Sequence, residues 1–233
     1  MAKLTFPEIR RGVQALSSLY VERRNQLGAG AALTGAGKRA AFAMFYSPLH
    51  FLLVREIVRS LDAARSVRAI LDLGCGTGIA GAAWALETVP HARVVGVERN
   101  SWAASECRWT YEALGIQGSV RAANIEKLRI PPDTAVVAAF TINELDGPVR
   151  DRLLQEFLRK SSRGAPVLII EPIARRLVPW WDGWASQWVG AGGREDSWRF
   201  KVKLPERLAL MDRAAGLDHK ELTARSLWLP GRP

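Results

Sequence analysis

The residue types that suggest chemistry most directly lie in one stretch, AILDLGCGTG, at Ala69–Gly78. An apolar run leads into Asp72, and three glycines then follow at alternate positions: Gly74, Gly76 and Gly78. The apolar run predicts a buried parallel strand. Glycines allow backbone angles closed to other residues and let a ligand approach the main chain. A predicted helix follows, with its free N–H groups facing the loop, so the stretch predicts a nucleotide-type cradle at the end of a first strand.

An acidic residue at the end of a second predicted strand fits such a cradle. The strand covers Ala92–Arg99, and Glu98 lies 20 residues after Gly78. An acid about 20 positions beyond a glycine loop is placed to accept hydrogen bonds from ribose hydroxyls. We therefore predict that Glu98 binds the ribose, and we expect Arg99, at the start of the next helix, to contact the ligand less directly.

The loop DLGCGTG resembles motif I of the class I S-adenosylmethionine (SAM) methyltransferases, whose hallmark is D/E-x-G-x-G-x-G. The same residues contain G-x-G-x-x-G, from Gly76 to Gly81, as in nicotinamide-dependent dehydrogenases, but a single copy of that pattern is weak. The acid before the first glycine favours SAM. The resemblance implies an α/β, Rossmann-like core, a mostly parallel seven-strand-type sheet with helices on both faces. The residues predicted to hold the cofactor in this loop are Asp72, Gly74, Cys75, Gly76 and Gly78.

Composition restricts the partners and the compartment. The net charge of +10 predicts an anionic partner, with nucleic acid ahead of an anionic membrane surface, and a genomic bias toward arginine is the alternative. No run approaches the roughly 18 apolar residues of a membrane span, so no membrane contact is expected. Cys75 and Cys107 form no C-x-x-C pair and the three histidines are scattered, so no metal site is predicted. A reducing cytoplasm fits this cysteine usage.

The N-terminal residues have helical patterns. Pro7–Gln26 has apolar residues at helical spacing, Leu27–Gly37 is a small-residue linker, and Lys38–Leu61 is a second helical region. Proline disfavours helix in the residue before it, so this second region is expected to break near Ser47-Pro48. The polar face of the first helix carries four arginines: Arg10, Arg11, Arg23 and Arg24.

From residue 67 onward strands and helices alternate, which is typical of a parallel sheet with helical crossovers. We therefore predict a helical extension over 1–66 and a SAM-binding methyltransferase domain over 67–233. Strands are predicted near 68–74, 92–98, 118–123, 134–140, 165–171 and 220–229. Helices are predicted near 78–88, 101–114, 148–161 and 205–215. A tryptophan-rich insertion near 173–204 is expected to be irregular, apart from a strand at Trp198–Leu204.

Polar residues follow the third and fourth predicted strands. In the methyltransferase layout, Asn124 lies beside the adenine and Ile125 is placed to pack on the ring, although a simple turn asparagine explains Asn124 equally well. The fourth strand leads into Thr141, predicted to contact the cofactor. Asn143 and Glu144 follow next to the transferred methyl group, and we predict them as catalytic residues, with a purely loop-shaping role as the alternative.

The fifth predicted strand ends in Glu171-Pro172. Its carboxylate is placed to orient Arg175, Arg176 or a substrate amine. The chain lacks the D/N-P-P-Y/F motif of amino-directed nucleic-acid methyltransferases and the two-cysteine arrangement of cytosine-carbon enzymes. No general base is therefore assigned, and positioning alone can supply much of the catalysis of a methyl transfer.

Four segments together indicate a family: FYSPLHFLLVREIV, LDLGCGTG, FTINEL and IIEP, within about residues 38–175. They resemble the methyltransferase-like proteins associated with the mitochondrial small ribosomal subunit and the bacterial relatives of those proteins. The resemblance implies ribosomal RNA or ribosome assembly as the context. The chain departs from its larger relatives because it lacks their cysteine cluster and has tryptophans in its C-terminal region.

Five tryptophans lie in that region: Trp180, Trp181, Trp184, Trp188 and Trp198. The spacing of Trp181, Trp184 and Trp188 predicts one face of a short helix. Three roles are open: packing or a hydrophobic lid over the active site, stacking of nucleobases beside arginines, and an aromatic pocket for a small molecule.

These patterns predict a SAM-dependent methyltransferase that acts on RNA, with ribosomal RNA favoured. The RNA or small ribosomal subunit is expected to contact the basic surface of the first helix and Arg175 and Arg176. One alternative is a small-molecule methyltransferase with a tryptophan-rich lid. The other is a non-catalytic, SAM-binding ribosome assembly factor. The oligomeric state is not predicted.

Overall fold

A computed structural model describes residues 4–22 and 33–231 of the chain. The described residues contain eight α-helices: α1 (Phe6–Glu22), α2 (Ala36–Ala41), α3 (Ser47–Ser60), α4 (Ile79–Ala85), α5 (Ser101–Ala113), α6 (Gly147–Ser161), α7 (Trp181–Gly190) and α8 (Glu206–Ala214). They also contain seven strands: β1 (Ala69–Leu73), β2 (Arg93–Glu98), β3 (Gly118–Ala122), β4 (Ala135–Ala139), β5 (Val167–Glu171), β6 (Arg194–Lys201) and β7 (Glu221–Leu229).

The strands form one sheet in the order β3-β2-β1-β4-β5-β7-β6. Neighbouring strands from β3 to β5 are parallel, and β7 is antiparallel to β5. The helices α4, α5 and α6 connect β1 to β2, β2 to β3 and β4 to β5, as an alternating pattern of strands and helices predicts. This arrangement confirms the predicted Rossmann-like α/β fold. It also brings the carboxyl ends of β1, β2, β4 and β5 to one edge of the sheet, where open α/β sheets bind ligands.

The chain divides into two compact units. One comprises residues 1–50 and 200–222, and the other comprises residues 51–199 and 223–233. This division differs from the predicted boundary at residue 66. Residues 51–66 group with the sheet and residues 200–222 group with the N-terminal helices, because the units follow contacts in space and not order along the chain.

In the N-terminal unit, α1 packs closely on α2. A Cβ at Gly12 would lie 2.2 Å from the carbonyl oxygen of Gly37, so glycine allows the two backbones to approach. Arg10 and Arg11 are exposed on α1, as predicted. Arg23, Arg24 and most of the predicted linker, residues 27–32, lie outside the described residues.

The predicted helix break near Ser47-Pro48 is wrong. Helical residues run without interruption from α2 through a π-helical turn, Phe42–Tyr46, into α3. Ser47 keeps right-handed helical angles, with φ −58° and ψ −48°. Proline lacks an N–H group, and the local change in hydrogen bonding at a π turn accommodates Pro48 without ending the helix.

The run Ala36–Ser60 is, among the described residues, the one helix long and apolar enough to cross a membrane by length and composition alone. Its mean hydropathy is 1.3, and 44% of its most apolar window is buried inside the structure. Buried core helices pass the same test, so a single helix of this kind is weak evidence for a membrane span. The absence of a membrane partner stays a prediction.

The tryptophan-rich segment is ordered, which corrects the expectation of an irregular insertion. It contains a short 3₁₀ helix (Arg175–Leu177), then α7 and β6, and β6 begins four residues before the predicted strand at Trp198. Trp181, Trp184 and Trp188 lie on one face of α7 with exposures of 0, 3 and 0%. All three lie in the main core cluster, where Trp184 and Trp188 pack against Phe157 of α6, so these three side chains are neither a lid nor a base-stacking surface.

Among residues 4–22 and 33–231, no helix covers one face of the sheet near β2 and β3. Residues 123–134, all of them described, connect β3 to β4 with one 3₁₀ turn (Ile125–Lys127) and otherwise irregular chain. The helices α4 and α5 cover the opposite face. A groove on the open face is lined by side chains that include Arg93, Val95, Ser119, Arg121 and Pro131.

Candidate functional site

The glycine loop between β1 and α4 has a backbone that only glycine adopts easily. Gly74, Gly76 and Gly78 have φ values of +63°, +53° and +82°. A Cβ at Gly74 would lie 2.4 Å from Cγ2 of Thr141, and one at Gly78 would lie 2.5 Å from Sγ of Cys107. Both conformation and space therefore require glycine, and the loop stays open as a cradle beside the start of α4.

Asp72 lies beneath this loop and anchors it. Its Oδ2 accepts a 2.8 Å hydrogen bond from the backbone N–H of Gly81 in α4, and its Oδ1 is buried without a partner among the described residues. Burial raises the pKa of Asp72 to about 7, and the nearby charge of Glu98 adds to this, against the opposing effect of the Gly81 N–H. Asp72 thus joins β1 to α4, and contact of its other carboxylate oxygen with a ligand stays a prediction.

Glu98 ties the end of β2 to the loop. One carboxylate oxygen accepts a hydrogen bond from the Gly76 N–H at 3.0 Å, and the other accepts one from the Asn100 N–H at 2.7 Å. Each oxygen has a second lone pair, so ribose binding by Glu98 stays a prediction. Arg99 is exposed beside it, and Asn100 caps α5 by accepting a 3.1 Å hydrogen bond from the Ala103 N–H.

The side chain of Cys75 points away from the cradle toward α5. Its Sγ lies 3.6 Å from Sγ of Cys107, and both thiols are buried. The contact with Cys107 and burial raise the pKa of Cys75. Tyr111, one helical turn beyond Cys107, fills the space beside Gly96 and Gly118. Sequence reasoning missed Cys107 and Tyr111, although their i, i+4 spacing opposite the two glycines was a usable signal.

The predicted adenine-side residues lie after β3. Asn124 begins the 3₁₀ turn, and its side chain accepts a 3.1 Å hydrogen bond from the Glu126 N–H, as a turn asparagine does. Ile125 is buried in the core cluster of the sheet. The structure therefore gives both residues local structural roles, and their contact with adenine stays a prediction.

Thr141, after β4, supports the loop from the other side. Its hydroxyl donates to the carbonyl oxygens of Ala139 at 3.1 Å and Gly74 at 3.4 Å. Because Thr141 lies where a Cβ of residue 74 would be, it fixes the separation of the loops that follow β1 and β4.

Asn143 lies in the 3₁₀ turn Ile142–Glu144, and Glu171 at the end of β5 holds it there. The backbone N–H of Asn143 donates a 3.0 Å hydrogen bond to Oε1 of Glu171, and the side-chain Nδ2 of Asn143 donates to Oε2. Glu171 is fully buried, whereas Glu144 is exposed. Glu171 was predicted to orient Arg175, Arg176 or a substrate amine, and the structure shows that it orients Asn143.

Behind Glu171 lies a buried cation that the sequence did not indicate. Arg225 of β7 is directly opposite Glu171 in the β5–β7 register and is 3% exposed. Its Cζ lies 4.6 Å from the ring centroid of Trp181, and its Nη2 lies 3.4 Å from Oε1 of Glu195. Burial lowers the pKa of Arg225. The Trp181 indole N–H donates to the same Glu195 oxygen at 2.6 Å, so the group is a connected network.

No group of three or more histidine, cysteine, aspartate or glutamate side chains suited to a metal ion occurs within residues 4–22 and 33–231. The polar groups at this edge of the sheet include the backbone of the glycine loop, the carboxylates of Asp72 and Glu98, and the Asn143–Glu171 pair.

Comparisons with known proteins agree with this geometry. Residues 70–164 match the profile of a methyltransferase domain. No curated protein sequence matches the chain. The fold is similar to that of a proposed RNA methyltransferase from Pyrococcus horikoshii, at 13% identity over 78% of this chain and 85% of that chain, with a TM-score of 0.51.

Two further solved structures are similar. One is the precorrin-6y C5,15-methyltransferase from Geobacter metallireducens, at 14% identity over 76% of this chain and 87% of that chain, with a TM-score of 0.51. The other is the plantazolicin methyltransferase BpumL in complex with S-adenosylhomocysteine, at 10% identity over 97% and 98% of the two chains, with a TM-score of 0.50. At these identities the likenesses show the fold.

The domain profile and the geometry of the site define a SAM-dependent methyltransferase of the class I fold. The residues fit its cofactor, because the loop has the left-handed backbone that glycine allows and Asp72 has a buried oxygen that lacks a partner among the described residues. The glycine loop, Asp72 and Glu98 are the groups that would hold SAM. When bound, SAM supplies an electrophilic methyl group on a sulfonium. What this chain supplies is a rigid loop on one side and the Asn143–Glu171 pair on the other.

Proposed function

We propose that the methyl acceptor is RNA, with ribosomal RNA of the small subunit as the first substrate to test. The observation that carries the proposal is the position of Arg175 and Arg176. Both are exposed on the 3₁₀ helix that follows β5, a few residues after Glu171. An RNA strand placed near Asn143 would meet these two guanidinium groups, which are well suited to phosphate.

The charge of the whole chain supports the same class of partner. A net charge of +10 favours association with a polyanion, and Arg10 and Arg11 add exposed positive charge on α1 of the N-terminal unit. The sequence resemblance to ribosome-associated methyltransferases points to RNA of the small ribosomal subunit as the partner. The presence of only two cysteines, without a C-x-x-C pair, fits a reducing cytoplasm as the compartment.

The alternatives are weaker on structural grounds. The small-molecule interpretation relied on a tryptophan lid, and Trp181, Trp184 and Trp188 are buried in the core. The similar solved structures have names that refer to RNA, a corrin precursor and plantazolicin, so they do not choose among substrates. A non-catalytic assembly factor would bind RNA without transferring a methyl group, which the following experiment detects.

The experiment measures methyl transfer from labelled SAM to an unmodified transcript of small-subunit ribosomal RNA, and the salt dependence of transcript binding. In the variant R175E/R176E the slope of log K against log salt should fall by roughly 1–2, because fewer counterions are released. The matched control is R65E/R163E, which makes the same charge change at exposed positions before β1 and β5, at the opposite edge of the sheet.

Equal slopes for the two variants would remove Arg175 and Arg176 from the RNA surface. No binding of the transcript by the wild type at low salt would overturn the RNA proposal in favour of a small-molecule acceptor. Binding without transfer would favour the assembly factor. SAM affinity should be unchanged in both variants, since none of the four arginines belongs to the cradle.

A further inference from the structure

The hydrogen-bonded pair Asn143–Glu171 indicates which kind of atom receives the methyl group. Two hydrogen bonds connect the pair, one from the backbone N–H of Asn143 and one from its side-chain Nδ2. Glu171 is 0% exposed and lies 28 residues away along the chain. A buried carboxylate that accepts two hydrogen bonds from one residue fixes both the backbone and the side chain of that residue.

This contact determines which end of the Asn143 amide faces outward. The side-chain Nδ2 of Asn143 donates to Oε2 of Glu171, so the NH₂ group of Asn143 faces Glu171. The carbonyl oxygen Oδ1 of Asn143 is left as the outward group, and within the described residues it accepts no hydrogen bond.

An outward amide oxygen at this place selects a substrate that donates a hydrogen bond. Hydroxyl and N–H groups both do so, but a hydroxyl becomes a good nucleophile only when a base removes its proton. Both oxygens of Glu171 are occupied by Asn143, and Glu144 is exposed to water. A neutral amino nitrogen attacks through its lone pair and needs no base beforehand.

We infer that Glu171 is a positioning residue that presents Oδ1 of Asn143 to an N–H group of the substrate, so that methylation occurs on a nitrogen of an RNA base. The inference rests on the proposed RNA substrate. The nitrogen lone pair forms the bond to the methyl carbon, and the carbon–sulfur bond breaks with its electron pair left on sulfur. The nitrogen then loses its proton to water, which gives the methylated base, S-adenosylhomocysteine and a proton.

Exchanging the carboxylate and the amide between positions 171 and 143 tests the orientation of the Asn143 amide. In Glu171→Gln, the new amide oxygen must accept the backbone N–H of Asn143, so its NH₂ faces Asn143 and forces that amide to turn its own NH₂ outward. In Asn143→Asp, two carboxylates face each other. In the double variant E171Q/N143D, the glutamine NH₂ donates to one aspartate oxygen, and the other oxygen again faces the substrate as an acceptor.

The kcat for the ribosomal RNA transcript should fall at least about tenfold in each single variant and recover at least about tenfold in the double variant, a strong positive coupling. SAM affinity should stay within a few-fold throughout. The control Glu112→Gln makes the same acid-to-amide change at an exposed position on α5 and should leave kcat unchanged. A double variant no better than the singles, with SAM affinity intact, would overturn the inference.

Two measurements distinguish failure of this inference from failure of the proposed function: the position of the methyl group in the RNA product, and an NMR signal of the protein without substrate. Mass spectrometry of digested RNA should find the methyl group on a base nitrogen, and a 2′-O-methyl or carbon-methyl product would overturn the inference while leaving RNA as the substrate. If the wild type methylates no RNA, the proposed function and the base nitrogen both fail.

The orientation itself is then decided by NMR of protein labelled with ¹⁵N in its four asparagine side chains. The Asn143 NH₂ signals should move in Glu171→Gln and stay in place in Glu112→Gln. Unmoved signals in Glu171→Gln would show that Glu171 does not orient the amide.

Discussion

The two halves of the functional edge are built in different ways. On the side of β1 and β2, the cradle is made of backbone: left-handed glycines, with carboxylates that accept from the N–H groups of Gly76 and Gly81. On the side of β4, β5 and β7, side chains from distant parts of the sequence form a network, with Glu171 joined to Asn143 and Glu195 joined to both Trp181 and Arg225.

This difference explains why the cofactor half, beside β1 and β2, can be predicted from the sequence and the substrate half, beside β4, β5 and β7, cannot. A backbone cradle tolerates few residue types, because an added Cβ meets atoms at 2.4–2.5 Å in the loop. A side-chain network can be made from many combinations of residues at many distances along the chain, so no short sequence motif predicts it. Substitution of a single glycine should therefore weaken cofactor binding. In the substrate half, activity or stability should be lost when a buried side chain or a hydrogen-bond partner is removed.

The largest effect is expected from Trp188→Ala. The side chain is fully buried and stacks on Trp184 with the ring centroids 6.1 Å apart, so its removal leaves a cavity beneath the substrate half. The free energy of unfolding should fall by about 3–5 kcal/mol in denaturant titrations. Trp109→Ala, at a position 65% exposed on α5, should change it by less than about 0.5 kcal/mol. Equal effects at the two positions would contradict the buried role of α7.

In the cofactor half, Gly74→Ala is expected to weaken SAM binding about 100-fold. The left-handed backbone costs about 1–2 kcal/mol for alanine, and displacement of Thr141 adds a similar amount. Gly192→Ala is the matched control, because Gly192 also has a positive φ, +87°, but open space around its Cβ. Calorimetric titration with SAM measures both. If Gly74→Ala binds SAM as well as Gly192→Ala does, close contact with Thr141 is not what shapes the cradle.

A smaller effect is expected from Glu98→Ala, which should weaken SAM binding by about 1–3 kcal/mol because two backbone N–H groups lose their acceptor, as does the ribose that Glu98 is predicted to bind. Glu87→Ala is its control. Glu87 lies between α4 and β2 and pairs with Arg55 and Arg59, so its loss should leave SAM affinity unchanged. Calorimetry that gave the same affinity for the wild type and Glu98→Ala would separate Glu98 from the cofactor.

Per pH unit, the smallest effect is the change in the free energy of unfolding with pH. Burial raises the pKa of Asp72 to about 7, above its ordinary value, so the stability it contributes to the ligand-free protein is full below about pH 4 and is lost as the pH rises through 7. The slope cannot exceed about 1.4 kcal/mol per pH unit, since one proton is involved. In Asp72→Asn this contribution is absent. Denaturant titrations at pH 5 and pH 8 should show that the difference in free energy of unfolding between wild type and variant changes with pH. A constant difference would show that Asp72 does not titrate in this range.

The sequence predicted the sheet well because most of its strands are short apolar runs, and helices separate most of them along the chain. All six main strands lie where expected within about two residues, and motif I led to the cradle. The continuous helix through Ser47 was missed, because a π turn leaves no mark in residue periodicity. Asn143 was chosen as a candidate from its place after β4, but its partner Glu171 was assigned other contacts. The position of Arg225 depends on the pairing of β5 with β7, which the local pattern does not contain.

The two thiols beside the cradle have a practical consequence. Cys75 and Cys107 are the only cysteines of the chain, both are buried, and their sulfurs lie 3.6 Å apart between the glycine loop and α5. A thiol-specific reagent can reach them only when that region opens. The rate at which such a reagent modifies the thiols of the unaltered protein therefore measures how often the region around the glycine loop opens. A lower rate in the presence of SAM would measure how strongly the bound cofactor suppresses that opening.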